Sequence, residues 1–314
     1  MASSNWHRAL KALPSNPEKI PAFFFAHGSP MLAYPAATTA MGGMAAYQGP
    51  NGPLSKFLSE FGPTLLKKYK PKGIVVFSAH WETMEERLGK SHQPVSDYPD
   101  NPLLMDYYGF PPELYKLKFK SKGSSTLAQR VVDLYKQAGQ KARTTTVLEP
   151  RGEDGRGFRG PGLDHGVFVP FRIMFGEDFT EIPIVQVSID SSLDPKKNWE
   201  LGEAVTSLRE EGILILSGGL TAHNLGDRSS FSPDTARPVH KEFDKAIHEA
   251  VGIDSPEERK QAMFSLPKHR GFRASQPRED HFMPLYVAAG AGGKGEVRTI
   301  LDLYGLASFA FGVE

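Results

Sequence analysis

The chain has 314 residues, 39% apolar and 23% charged, with a net charge of +1 and no cysteine. That balance fits one large α/β domain or two medium ones, and a near-neutral charge gives no reason to expect nucleic acid or a membrane surface as partner. Without cysteine, disulfides and thiolate ligands are excluded, so a bound metal must take nitrogen or oxygen donors. No apolar run approaches the roughly 20 residues of a membrane span, and the amino terminus has no basic-then-apolar signal pattern, so a cytoplasmic location is expected.

Residues 1–20 read as an irregular arm. The run Phe23–Ala26 reads as a strand, and a long loop rich in Pro, Gly, Ala and Met follows from Ser29 to Pro53. A helical period runs from Leu54 to about Tyr69, with Pro63 as a kink or break. The β-branched and aromatic run Ile74–Phe77 predicts a fully buried strand. Residues 91–112 are polar and proline-rich and read as a loop over a site. Ser124 caps an amphipathic helix that stops at Gly139. The glycine- and charge-rich tract 151–160 reads as a loop that moves. A buried strand is expected over Ile182–Ile189, then helices near 195–208, 238–251 and 283–289. The tail from Val297 to Val313 supplies two edge strands. Alternating strands and helices predict a mainly parallel central sheet covered on both faces, in one domain spanning 21–314.

Four of the histidines stand where an apolar run stops or shortly after. His27 follows Ala22–Ala26 and precedes a Gly-Ser-Pro turn. His80 follows Gly73–Ala79, and His223 follows a strand-like run ending in Gly218-Gly219. His281 follows Glu279 and Asp280 before a helix. Beyond the carboxyl ends of parallel strands lies the ligand crevice of such sheets, so these imidazoles are expected to converge as a metal centre. His165 has Asp164 beside it as a possible orienting group. His7, His92 and His269 lie in polar contexts, and His240 and His248 share an amphipathic helix, so surface placement is expected for all five. The run Gly290–Gly295 follows a helix rather than linking strand to helix, which argues against a phosphate loop.

The ordered motifs HGSPM (27–31), SAHWE (78–82), DYYGFPPELY (106–115), GLDHGVFVP (162–170), SGGLTAHN (217–224) and DHFMPL (280–285) resemble the class III, LigB-type extradiol ring-cleavage dioxygenases. The likeness is greatest to the DOPA 4,5-dioxygenase branch and covers about residues 20 to 312. It implies a non-haem Fe(II) enzyme that uses O2 to open a catechol, DOPA or another small one, to a muconate semialdehyde-type product. His27, His80 and His281 would then be metal ligands. By the same resemblance His223 would be the acid–base group, or a fourth ligand if Zn(II) occupies the site, and His165 would be a second catalytic histidine meeting substrate or oxygen. Trp81, Tyr108 and Phe110 are candidate pocket walls, although core packing suits Trp81 and Phe110 equally.

Two departures stand out. Better-known members of the superfamily use two histidines and a carboxylate; here His281 takes the third position, with Glu279 and Asp280 as alternatives. The segments 151–160 and 255–278 are also longer than the branch pattern and would reshape the pocket entrance, so substrate identity is what the resemblance transfers least. Zinc would accept the same histidines, so a zinc-dependent hydrolase or zinc-binding protein on this scaffold is the competing expectation.

Overall fold

The computed structural model describes residues 5–34, 42–82, 84–85, 91–151 and 157–314. In chain order the elements are α1 (Asn5–Ala12), β1 (Ala22–Ala26), α2 (Gly42–Gln48), α3 (Pro53–Tyr69), β2 (Gly73–Glu82), β3 (Met84–Glu85), β4 (Ser91–Ser96), β5 (Lys120–Ser121) and α4 (Ser125–Gln137). Then come β6 (Ala142–Thr145), α5 (His165–Phe175), β7 (Asp178–Phe179), β8 (Ile184–Ile189), α6 (Pro195–Ala204) and β9 (Ile213–Gly219). The chain ends with α7 (Pro238–Val251), α8 (Pro256–Ser265), α9 (Phe272–Ser275), α10 (Met283–Gly292), β10 (Glu296–Leu301) and β11 (Ser308–Val313).

Nine strands form one sheet in the order β10-β11-β1-β9-β2-β8-β4-β3, with β6 paired to β4. The central four, β1, β9, β2 and β8, are parallel, while β11 and β4 join them antiparallel. Side chains alternate between two cores, as a period of two requires. Phe24, Val75, Val185 and Ile215 face a layer that includes α4, α6, α7 and α10. Phe23, Ile74, Ile184 and Leu214 face α1, α3 and α5. The expected mainly parallel sheet with helices on both faces is therefore present, and the tail adds the antiparallel edge.

Helix α10 is apolar on all sides and entirely buried, as such a helix must be. It meets α6 closely: a Cβ on Gly290 would lie 2.1 Å from the Trp199 carbonyl oxygen, and one on Gly202 2.0 Å from that of Val287.

Several local expectations are corrected. The arm is helical over Asn5–Ala12, because Trp6 and Leu10 bury themselves against α3 and its surroundings. α3 continues through Pro63, held on either side by the buried Phe57, Leu58, Phe61 and Leu65. Residues 91–96 are a strand rather than a loop, because they pair with distant residues 142–145; Pro94 hides that signal in the sequence. Most of the 151–160 tract, residues 152–156, lies outside the described residues. The long 255–278 segment supplies α8 and α9.

Arg209 binds the ends of this architecture together. Its buried guanidinium donates to the carbonyls of Ile20, Ala291, Gly292 and Gly312, joining the segment before β1 to the end of α10 and to β11. Arg209→Ala leaves those carbonyls without their donor and should lower the unfolding free energy by more than about 3 kcal/mol in urea denaturation. A loss below about 1 kcal/mol would refute this role.

Candidate metal centre

The parallel centre of the sheet delivers the histidines to one edge. His27 is the residue after β1, and its N–H donates to Gly219 O at the end of β9 (3.2 Å). His80 lies near the end of β2, and β9 runs between these two strands. Gly28 makes the turn after His27 possible: its φ is +69°, and a Cβ there would lie 2.5 Å from Leu32. His281 reaches the same place from the run-in to α10, its carbonyl accepting the Leu220 N–H (2.9 Å). His223 sits on the loop after β9, tied by its N–H to Ser275 O (2.8 Å).

One nitrogen from each of His27, His80 and His281 falls within 4.8 Å of the others. The Nε2 atoms of His80 and His281 are 3.1 Å apart. With metal–nitrogen bonds of about 2.1 Å, neighbouring ligand nitrogens lie about 3.0–3.4 Å apart. Both ring nitrogens of His27 are buried without a hydrogen-bond partner, which is costly unless something binds there. Burial, followed by the nearby imidazoles of His281, His165 and His223, holds the His27 pKa well below its ordinary value and keeps the ring neutral. A buried, neutral, unpartnered imidazole beside two others fits a divalent cation.

Asp106 orients two of the rings. Its fully buried carboxylate lies 3.1 Å from His80 Nδ1, and accepts from His165 Nδ1 (2.8 Å) and from the His165 backbone N–H (2.8 Å) at the start of α5. Burial alone would raise this carboxyl; the His165 and His80 imidazoles outweigh it and hold its pKa well below the usual range. An Nδ1 proton directed at Asp106 puts the lone pair of each ring on Nε2. Asp280 stands 3.2 Å from His281 Nδ1, and the ring of His223 stacks on His281 with centroids 3.5 Å apart.

Beneath this lies a buried ion pair. Arg151 Nη2 donates to Asp164 Oδ2 (2.9 Å) and to the His80 carbonyl (2.9 Å), and Ser78 Oγ donates to Asp164 Oδ1 (2.7 Å). The same network fixes the backbone of His80 and of the residue before His165. Arg278 clamps Glu82 with two hydrogen bonds, linking the end of β2 to the segment carrying His281.

The five imidazoles of His27, His80, His165, His223 and His281 open on a cavity of about 200 Å³ whose other walls are largely apolar, including Met31, Met44, Phe110, Leu220 and Phe231. Phe110 is thus at the cavity, but Trp81 and Tyr108 do not line it. Trp81 is fully buried in the core, its indole N–H bonded to Arg151 O (2.6 Å) and its ring under that guanidinium. Tyr108 is exposed and stacks on Phe158; its neighbour Tyr107 faces the cavity instead. His240, expected at the surface, is buried between Ser275 Oγ (3.1 Å) and Asp227 Oδ2 (3.2 Å). Sequence reasoning missed Asp106, Arg151 and Gln186. Gln186, a polar residue inside the apolar run of β8, was the visible sign of a buried network.

Comparison with known proteins shows the family. Residues 21–312 match the family described as the catalytic LigB subunit of aromatic ring-opening dioxygenase. A Schizosaccharomyces pombe "4,5-DOPA dioxygenase extradiol-like protein" is 41% identical, with all of both chains covered. A Beta vulgaris "4,5-DOPA dioxygenase extradiol" is 33% identical over 87% of each chain. The crystal structure of an uncharacterized Escherichia coli K12 protein shares the fold, with a TM-score of 0.64 at 24% identity over 94% of this chain and 100% of that one.

Acidification should expose the buried neutral state of His27. Below about pH 6.5 the unfolded chain protonates this ring and the folded chain does not, so stability must fall as pH drops. In chelator-treated protein, chemical denaturation between pH 7.5 and 5 should give a steeper loss for wild type than for His27→Asn, by up to about 1.4 kcal/mol per pH unit. Equal slopes would contradict it.

The converging imidazoles, the carboxylate that orients them and the full-length family match lead to one assignment: the chain belongs to the LigB family and is an extradiol aromatic ring-opening dioxygenase.

Proposed function

We propose that the substrate is a catechol, DOPA-like or another small one, cleaved with O2 beside its hydroxyl pair to a muconate semialdehyde-type product. The observation that carries this reading is the unpartnered imidazole of His27 beside His80 and His281 in a ring-sized, mostly apolar cavity. In this reading those three residues hold Fe(II), which supplies charge to stabilise a catecholate and electrons to activate O2. Zn(II) suits the same donors but has no redox chemistry.

The remaining steps belong to the protein's own groups. His223, half-buried and stacked on His281, takes a proton from a catechol hydroxyl and returns it as the ring opens. His165, with Nδ1 committed to Asp106, has Nε2 left to hydrogen-bond the reacting oxygen. The apolar walls exclude water and hold the ring in one orientation, which turns an encounter of separate molecules into an internal reaction. The names of the relatives make DOPA the first catechol to try.

Protein reconstituted with Fe(II) and given DOPA or another catechol in air should consume oxygen and form a yellow semialdehyde. No oxygen uptake across a catechol panel would overturn the proposal. The division of roles among the histidines has its own test by metal analysis and turnover. His223→Ala should keep its metal while kcat falls about 100-fold or more, whereas His27→Ala should lose the metal. Loss of metal from His223→Ala as well would make His223 a ligand.

A further inference from the structure

The cavity wall holds a polar group that neither the metal centre nor the proposed proton transfers use. Gln48, the last residue of α2, lines the cavity with only 1% of its surface exposed. Its amide makes no hydrogen bond to any described residue. A primary amide can donate two hydrogen bonds and accept two, so at the cavity wall it can meet a polar group on a ligand. The other polar groups of the wall outside the imidazoles are engaged. Tyr107 Oη donates to Leu114 O (2.5 Å), and Ser29 Oγ accepts the Met31 N–H (3.3 Å).

The wall has a second property. Among the described residues that line it there is no Lys, Arg, Asp or Glu. The charge-bearing side chains nearest the imidazoles, Asp106, Asp280, Asp164 and Arg151, do not line the cavity and are already paired with His80 and His165, with Arg278 and His281, and with each other. A charged substituent drawn into this cavity would lose its water and gain no counter-charge from the described wall. The surfaces of Met31, Met44 and Phe231 suit a short aliphatic arm instead.

We propose that Gln48 is a specificity-determining residue, and that the preferred substrate is a catechol bearing a short, uncharged substituent with a hydroxyl-like group that the Gln48 amide reads. This rests on the catechol reading given above and narrows it. The zwitterionic side chain of DOPA then contributes nothing to its binding. A site built to hydrogen-bond a substituent discriminates more sharply than one that merely packs against it.

Binding is the readout, so that turnover is not required. Calorimetry on the zinc-loaded protein would use catechols carrying, para to one hydroxyl, an ethyl, hydroxyethyl, aminoethyl or carboxymethyl group, together with DOPA. The hydroxyethyl compound should bind tightest, with the aminoethyl compound, the carboxymethyl compound and DOPA about tenfold weaker or more. Gln48→Leu should abolish the preference for hydroxyethyl over ethyl. Gln48→Glu should raise affinity for the aminoethyl compound about tenfold by supplying the missing counter-charge. Charged substituents binding as tightly as hydroxyethyl, or a Gln48→Leu protein that keeps the hydroxyethyl preference, would overturn the inference. Binding of no catechol at all would sink the catechol reading, and this inference with it.

Discussion

The carboxylate of Asp106, with no solvent exposure, lies among the rings of His80 and His165 and accepts the first backbone N–H of α5. These contacts fix different parts of the molecule at once. The loop bearing Asp106 is anchored to the start of a helix, and that helix is set against the end of β2. The two imidazoles are held in one tautomer and one orientation. A buried anion tolerates such a position only with charge-assisted donors around it. Small residues make the approach possible: a Cβ on Gly166 would meet Ser78 Oγ at 2.8 Å and His80 Cδ2 at 3.0 Å.

Behind this carboxylate, Arg151 and Asp164 form a second buried layer. A lone ion pair in a core brings little net stability, because desolvation offsets the attraction. Here the pair gains further hydrogen bonds from Ser78 and Gln186 and to the carbonyls of Gly162 and His80. Its effect is geometric: it leaves the backbone on either side of the site one well-defined arrangement. Asp106, Asp164 and Arg151 turn to partners behind the imidazoles, so apart from those rings the cavity wall is largely apolar.

Much of the scaffold was legible in sequence because the central strands are short, apolar and bounded by turn residues. The Gly-Ser-Pro after His27 and the double glycine before His223 marked the strand ends at which the imidazoles appear. Strands β4 and β6 were less legible, since their partners lie far along the chain and β4 contains Pro94. Trp81 and Tyr108 show the limit for side chains. An aromatic residue in a motif near a site can face the core, the solvent or the cavity, and a one-residue change of direction decides between them. His240 shows the reverse: a helical position that looked exposed is covered once the loop bearing Asp227 and the α9 segment fold over it.

The sequence by itself determined the donor chemistry, since a chain without cysteine must offer imidazole and carboxylate to a metal, and it determined the alternation that makes a parallel sheet. Only the tertiary structure decided which histidines meet. The order β1-β9-β2 places His27 and His80 at one edge, and His281 comes alongside because α10 packs behind the sheet. It also decided that Asp106, rather than Asp164, orients His165, since adjacency in the chain says nothing about which way a carboxylate points. Asp164 instead turns back to Arg151 and Ser78, and the shared Asp106 closes the site from the other side.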